Sequence, residues 1–144
     1  MADLVGTRLL VFRVGAVQCA VEASVVREIM SMLPTTRIPG ARDQVAGVVN
    51  IRGRIVTLVD ARKCLGQPQQ DGDTTLVLLE LGTRVVGLVV DEVVDLISTS
   101  GDTLAERDDL PGIEAVFVRA VGQHDEQSFA LLDTDALLNP ILPS

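Results

Sequence analysis

The sequence contains neither tryptophan nor tyrosine, and only three phenylalanines among its 144 residues. Proteins that stack on bases usually build such sites from aromatic side chains, so the composition disfavours this class of ligand. The chain carries 12 basic and 20 acidic residues, and its net charge of −8 repels a phosphate backbone at long range. We therefore expect no nucleic acid partner, whereas a basic protein surface would be attracted.

Cysteine and histidine are equally scarce, which limits metal and nucleophile chemistry. Cys19 and Cys64 match no metal-ligand spacing, and we expect both to be buried free thiols. The single histidine, His124, lies in a polar segment and is expected to be solvated. The acidic pairs at 91–92 and 108–109 are typical of solvated loops or caps. With no phosphate loop and no nucleophile elbow, the sequence predicts a protein that is not an enzyme, with no catalytic residue, cofactor or metal.

Long hydrophobic runs are also missing, although 47% of the residues are hydrophobic. No run approaches the length of a membrane span, and residues 1–6 lack the basic flank of a signal peptide. We therefore expect a cytoplasmic protein without direct membrane insertion. The length fits a single domain over residues 1–144.

The most informative stretch is residues 47–60, which reads as two apolar strands, 47–51 and 54–59, joined by a two-residue turn. Gly53 can adopt the positive φ that a tight hairpin requires. Asn or Asp would suit the other turn position better than Arg52, which makes this cation a candidate partner-binding residue. The alternative is a solvated surface arginine. Asp60 ends the second strand and can cap a short helix.

The remaining pattern predicts three further hairpins and a few short helices. A hairpin with Gly first in its turn is expected at 8–21 and another at 74–90, and a last hairpin at 114–132 leads into a helix capped by Asp133. Residues 25–30 read as an amphipathic helix capped by Ser24. Further segments are an edge strand at best (33–38), extended chain (91–97) and a long acidic loop (98–112).

The two halves of the chain repeat one another at a nearly constant offset. Each contains a strand, a Gly-first turn, a return strand, and later a strand followed by a capping Asp and a short helix. Four hairpins of short strands would leave long exposed edges in an open sheet, and closure removes such edges. We therefore expect a mainly β fold of two small barrels, each with a few short helices on its rim, with halves at roughly 9–72 and 73–139.

Other candidates for binding flank these hairpins. Val26 and Glu28 lie in the first predicted helix, where a core valine and a solvated glutamate are the alternative interpretation. Val93 and Leu96 follow the second Gly-first hairpin, and their alternative role is ordinary core packing.

These motifs resemble the CheW-like family of scaffold adaptors in bacterial chemotaxis arrays. The matching segments lie in the family's order, and the turn Asn-x-Arg-Gly at 50–53 with its following strand and Asp60 is the most specific. The others are 10–15, 25–29, 84–91 and 130–133.

The resemblance implies two SH3-like five-stranded barrels and no catalysis. It implies that the protein bridges the cytoplasmic tip of a chemoreceptor to the regulatory domain of a CheA-type histidine kinase, with receptor helices in the groove between the barrels. Arg52 matches the turn arginine used on the receptor side, and Val26 and Glu28 match positions of the same surface. Gly47 and Gly87 match glycines that let strands bend or approach closely.

Two other functions remain open from the sequence. A related scaffold could serve a pathway that controls pilus motility or gene expression, with the same fold and motifs. A small-molecule-binding or enzymatic barrel would instead need a cavity holding polar groups, and the predicted interior is aliphatic.

Overall fold

The computed structural model describes residues 6–100, 103–104 and 110–142. Much of the predicted loop 98–112, including the acidic pair at 108–109, lies outside the described residues. These residues form ten strands and two short helices, joined in places by 3-10 turns: β1 Arg8–Val14, β2 Val17–Glu22, β3 Val26–Ser31, β4 Val45–Ile51, β5 Arg54–Asp60, α1 Ala61–Cys64, β6 Thr75–Leu81, β7 Arg84–Val90, β8 Glu92–Ser98, β9 Val118–His124, β10 Gln127–Leu132 and α2 Thr134–Leu138.

The strands form two five-stranded sheets with the same internal arrangement. The first has the order β8-β1-β2-β10-β9 and the second the order β3-β6-β7-β5-β4. In each, two antiparallel hairpins are joined by one parallel ladder, β2 with β10 and β5 with β7. The prediction of a mainly β fold with two five-stranded units is confirmed. The predicted closure into barrels is not confirmed, because no ladder in the described part of the chain joins β8 to β9 or β3 to β4.

The sheets do not coincide with the consecutive halves 9–72 and 73–139. The order of elements repeats, with β1 to β5 followed by β6 to β10, but each sheet takes strands from both halves. After β2 the chain crosses to the other sheet, where β3 pairs with β6. After β7 it crosses back, and β8 pairs with β1. The expected division is corrected accordingly: sequence similarity reveals a repeat, whereas strand pairing decides which segments share a sheet.

The segment 25–30 is a strand and not the predicted amphipathic helix. β3 alternates between half-buried and exposed residues and pairs with β6 from Val26 to Ser31. The apolar spacing fits either element over so short a segment, and the ladder to β6 favours the extended form. Before it, a 3-10 turn at Ala23–Val25 has no side-chain cap, so Ser24 does not play its predicted role.

The predicted capping carboxylates are confirmed. Asp60 accepts a hydrogen bond from the backbone N–H of Arg62 at 2.9 Å, and Asp133 accepts one from Ala136 at 3.0 Å. Each Asp lies at the junction between a strand and the helix that follows it. It therefore sets the direction in which the chain leaves the sheet. Elsewhere, 33–38 contributes only the bridge from Thr36 to Val48, and the first strand of the last hairpin starts at Val118, later than predicted.

Buried side chains form three clusters, which explains the nearly continuous apolar runs of the central strands. One cluster contains residues of both sheets and fills the space between them. A second lies within the first sheet, around Phe129, and a third within the second sheet, around Leu58. Strands such as β1 and β6 are therefore buried on both faces.

The predicted structural roles of Gly47 and Gly87 agree with their surroundings. A Cβ on Gly47, whose φ is +144°, would lie 2.3 Å from the carbonyl oxygen of Thr36. A Cβ on Gly87 would lie 2.4 Å from Leu58 Cδ2. The glycines thus allow the segment at Thr36 and the β5 side chains to approach the backbone closely.

We expect Gly47→Ala to lower the free energy of unfolding by about 2–3 kcal/mol, because it combines a strained φ with a clash against backbone. Urea denaturation of the variant measures the loss. Gly72→Ala provides the control, since Gly72 also has a positive φ, +130°, but has nothing within 4 Å of the added Cβ. Equal losses in the two variants would show that the close approach at Thr36 is unimportant.

Candidate partner-binding surface

The equivalent edge strands β3 and β8 carry most of the residues singled out from the sequence. Each is the terminal strand of its sheet. Their inner neighbours, β6 and β1, both contact the 3-10 turn at Ala23–Val25, and Val26 of β3 and Val93 of β8 both pack against the cluster between the sheets. A partner lying along the junction between the sheets would contact both edges.

On β3, Val26 and Ile29 point to the same face. Val26 is opposite Leu79 and Ile29 is opposite Val77, and both partners belong to the cluster between the sheets. Directly opposed residues share a face, and the irregularity at Arg27 brings two residues spaced three apart onto one side. Ile29 is 43% exposed, whereas Val26 is half-buried.

β8 repeats this arrangement in the other sheet. Val93 is opposite Phe12 and Leu96 is opposite Leu10, again facing the cluster between the sheets, with the irregularity at Val94. Val93 is half-buried, and Leu96 is 44% exposed. Together Val26, Ile29, Val93 and Leu96 form what we call the apolar strip.

Arg52 is brought into contact with Glu28 by the tight hairpin between β4 and β5. Arg52 has a φ of 53°, and the side chain of Asn50 accepts a hydrogen bond from Gly53 N at 2.8 Å, which closes the turn. The guanidinium donates from Nη1 to Glu28 Oε1 at 2.9 Å and from Nη2 to Oε2 at 2.7 Å. This bidentate pair joins β3 to the tip after β4, the two ends of the second sheet.

The pair remains accessible to a partner, since the Arg52 side chain is 72% exposed and that of Glu28 is 33% exposed. The hydrogen bonds from Arg52 lower the pKa of Glu28, and those to Glu28 raise the pKa of Arg52. Both groups therefore stay charged over the physiological range of pH.

Of the five predicted site residues, the structure pairs Arg52 with Glu28 and places Val26 on the same edge strand as Glu28. It places Val93 and Leu96 on the equivalent strand of the other sheet. Ile29 was missed, because a helical interpretation of 25–30 turned it into a core residue. No periodic signal in the sequence of 26–31 indicates its position, because the irregularity at Arg27 is seen only in the pairing with β6.

A buried ion pair lies apart from this surface and was also missed. Asp91, expected to be solvated, is only 6% exposed and accepts hydrogen bonds from Arg62 on α1 and from the backbone N–H of Gly15. Arg62 also donates from Nη1 to the carbonyl oxygen of Gln70 at 2.7 Å. Burial raises the pKa of Asp91, but the Arg62 and Gly15 hydrogen bonds and nearby guanidinium charges outweigh it and lower the pKa. The network ties the β1–β2 turn, α1 and the start of β8 together.

The thiols of both cysteines stay protonated at physiological pH. Cys19 and Cys64 are both free, as predicted, but only Cys19 is fully buried, whereas Cys64 is half-buried. Burial raises the pKa of each thiol to about 12. Among residues 6–100, 103–104 and 110–142, no group of three histidine, cysteine or carboxylate side chains is placed to bind a metal. Within the same ranges, no helix is long and apolar enough to span a bilayer.

His124 differs from its prediction of a solvated side chain. It is only 18% exposed, and its Nε2 lies 2.9 Å from Asp95 Oδ2 and 3.5 Å from Asp125 Oδ2. The polar sequence around it gives no indication of this, because Asp95 belongs to a different strand.

Comparison with known proteins agrees with this fold and these motifs. Residues 8–141 match the model of the CheW-like domain family. The chain is 31% identical to chemotaxis protein CheW of Klebsiella aerogenes over 95% of this chain and 84% of that protein. It is 32% identical to protein PilI of Pseudomonas aeruginosa over 88% of this chain and 72% of that protein.

The fold has a counterpart among solved structures. The crystal structure of scaffolding protein TtCheW from Thermoanaerobacter tengcongensis matches with a TM-score of 0.80 and 21% identity, over 89% of each chain. With the family model covering almost the whole chain, these findings show that the protein belongs to the CheW-like domain family.

Proposed function

We propose that this protein is a non-catalytic cytoplasmic adaptor that couples the cytoplasmic tip of a chemoreceptor to the regulatory domain of a CheA-type histidine kinase. The observation that carries the proposal is the apolar strip on two edge strands, flanked by the exposed pair of Arg52 and Glu28. Membership of the CheW-like family supports it.

The strip suits an amphipathic helix better than an extended peptide. Its exposed members, Ile29 and Leu96, belong to different sheets, and both face the junction between the sheets. A helix laid along the junction would bury both side chains with one apolar stripe. An added strand would pair with a single sheet edge and contact only one of them.

Arg52 is placed to orient such a helix. Its two Nη groups each donate to Glu28, which fixes the plane of the guanidinium, while most of the side chain remains in solvent. A prearranged guanidinium can donate to a partner's carboxylate or carbonyl oxygen without losing further side-chain entropy. We expect each contact to be of modest affinity, with repeated contacts in an array raising the effective concentration.

The test is co-sedimentation of the purified protein with a receptor cytoplasmic fragment and the cognate kinase, reading kinase autophosphorylation in the same tube. An adaptor carries kinase into the pellet with the receptor and changes its activity. A protein that binds neither partner would lose the assignment to chemotaxis while keeping its fold.

The similarity to PilI favours one alternative, a CheW-like scaffold in a pathway for pilus motility or gene expression. The same surface would then bind a different receptor. Parallel binding assays with each receptor encoded in the same cell distinguish these roles, since only the cognate receptor should bind at low concentration.

We expect Arg52→Glu to weaken binding of the receptor fragment by about tenfold or more, because reversed charge repels the group that Arg52 contacts and Glu28 as well. Arg54→Glu is the matched control, since it makes the same change at an exposed position two residues away. Isothermal titration calorimetry gives both affinities.

The double variant Glu28→Arg/Arg52→Glu distinguishes direct contact of Arg52 with the receptor from a purely structural role of the ion pair. It restores an ion pair of opposite polarity within the protein, so it should recover stability but not receptor affinity. Full recovery of affinity would mean that an ion pair of either polarity is sufficient at this place, and that Arg52 does not itself contact the receptor.

A further inference from the structure

The first sheet is bridged across its open side by side chains. β8 and β9 are its two terminal strands, separated by three others in the order of the sheet. Nevertheless, Asp95 of β8 and His124 at the end of β9 approach to 2.9 Å between Oδ2 and Nε2. The sheet therefore curls until its ends meet, and this contact joins them.

The second sheet is bridged at the equivalent place by Glu28 and Arg52. β3 corresponds to β8, and the turn after β4 corresponds to the turn after β9. The two bridges differ in chemistry. A guanidinium stays charged at every physiological pH, whereas an imidazole changes charge between about pH 5 and 8.

Acidic side chains lie close to His124. Two carboxylates face it, those of Asp95 at 2.9 Å and Asp125 at 3.5 Å, and in the described part of the chain neither forms an ion pair with any other basic side chain. Glu126 adds a further acidic residue in the same turn. The Nε2 atom is shielded from solvent, and its contact lacks the alignment of a hydrogen bond, so the attraction depends on the charge of the ring.

Asp95 also connects this bridge to the apolar strip. Its Oδ1 accepts a hydrogen bond from the backbone N–H of Leu96 at 2.8 Å, while Oδ2 faces His124. Leu96 lies on an edge strand with an irregularity at Val94, where the backbone is held from one side only. A change in the charge of His124 would therefore act directly on the backbone that positions Leu96.

We propose that Asp95 and His124 form a proton-controlled latch that holds β8 in place and makes partner binding at the apolar strip dependent on pH. The regulatory part rests on the proposed adaptor function. With His124 protonated, the latch is closed, β8 is held as in this structure, and the partner binds more tightly. With His124 neutral, the attraction is lost, and β8 moves more freely.

Thermal denaturation between pH 5.5 and 8 tests the latch without any partner. His124 is the only histidine of the chain, and both thiols have a pKa of about 12, so few other groups titrate in this window. As the pH falls from 8 to 5.5, we expect the Tm of the wild type to rise by about 2–4 °C relative to the Tm of His124→Gln. Asp95→Asn should remove most of this gain. Parallel curves for wild type and His124→Gln would overturn the latch.

Hydrogen exchange locates the effect. After correction for intrinsic rates, amides of β8 should exchange about threefold to tenfold faster at pH 8 than at pH 5.5 in the wild type, and equally fast at both in His124→Gln. The amides of β3, bridged by the Glu28–Arg52 pair, serve as the internal control. Equal changes in β3 and β8 would contradict a local latch.

Titration with a cytoplasmic fragment of the cognate chemoreceptor tests the regulatory part. We expect wild-type affinity to fall about threefold to tenfold from pH 5.5 to 8, and that of His124→Gln to change less. Equal pH dependence in both proteins would overturn the regulation. If the wild type binds the fragment at no pH, the proposed function fails, and the thermal and exchange results still decide whether the latch exists.

Discussion

Replacing Arg62 with methionine is expected to lower the free energy of unfolding by about 3–5 kcal/mol, the typical result of removing one partner of a buried ion pair. The side chain of Asp91 is only 2% exposed, and the substitution removes the Arg62 guanidinium that pairs with its carboxylate. The backbone N–H of Gly15 still donates to it, and the half-exposed Arg13 guanidinium lies 3.5 Å away, but these contacts do not offset the desolvation of a full charge.

The pH dependence of this variant gives a second check. In the wild type, the pKa of Asp91 lies below its ordinary value of 3.8, so the group contributes stability above about pH 4 that is lost as the pH falls through the lowered pKa. Without Arg62, burial acts against fewer opposing charges and the carboxyl takes up a proton more readily. The deficit of Arg62→Met should therefore be largest near pH 7 and shrink below about pH 4.

Urea denaturation at pH 7 and pH 3.5 measures both effects. Lys63→Met is the matched control, because Lys63 neighbours Arg62 on α1 and pairs with Asp43 at the surface, where loss of a pair costs less than about 1 kcal/mol. The double variant Arg62→Met/Asp91→Leu should recover part of the loss, since no buried charge remains unpaired. A deficit for Arg62→Met no larger than that for Lys63→Met would show that the network contributes little.

Placing aspartates on the apolar strip is expected to have the largest effect on binding. Ile29→Asp/Leu96→Asp should reduce affinity for a chemoreceptor cytoplasmic fragment at least about 100-fold, because two buried aliphatic contacts are replaced by charges that must be desolvated. The free energy of unfolding should change by less than about 0.5 kcal/mol, since both side chains are more than 40% exposed in the free protein.

A matched control makes this result specific to the strip. Val116 is a more exposed aliphatic residue, at 65%, on the 3-10 turn before β9, and Val116→Asp should leave receptor affinity within about twofold of the wild type. Calorimetric titrations with one receptor fragment compare the three proteins. Near wild-type affinity in the double variant would place the receptor elsewhere on the molecule.

The local features were readable from the sequence because their causes are local. Gly53 after Arg52 specifies a tight turn, and the carboxylates of Asp60 and Asp133 terminate strands and cap helices within three residues of themselves. The repeated order of elements was visible for the same reason, since each repeat consists of consecutive segments of the chain.

What the sequence by itself determined is therefore a mainly β chain of two similar units with capped short helices, and the motifs of the CheW-like family, which imply five strands in each unit. The tertiary structure decided the rest, because those features depend on segments distant in sequence. Pairing with β6 made a strand of residues 26–31, and the crossing after β2 distributed each repeat over both sheets. Burial joined Asp91 to Arg62, and the curl of the first sheet brought His124 to Asp95. Hydrophobic spacing records which residues are buried, but not which distant segment buries them.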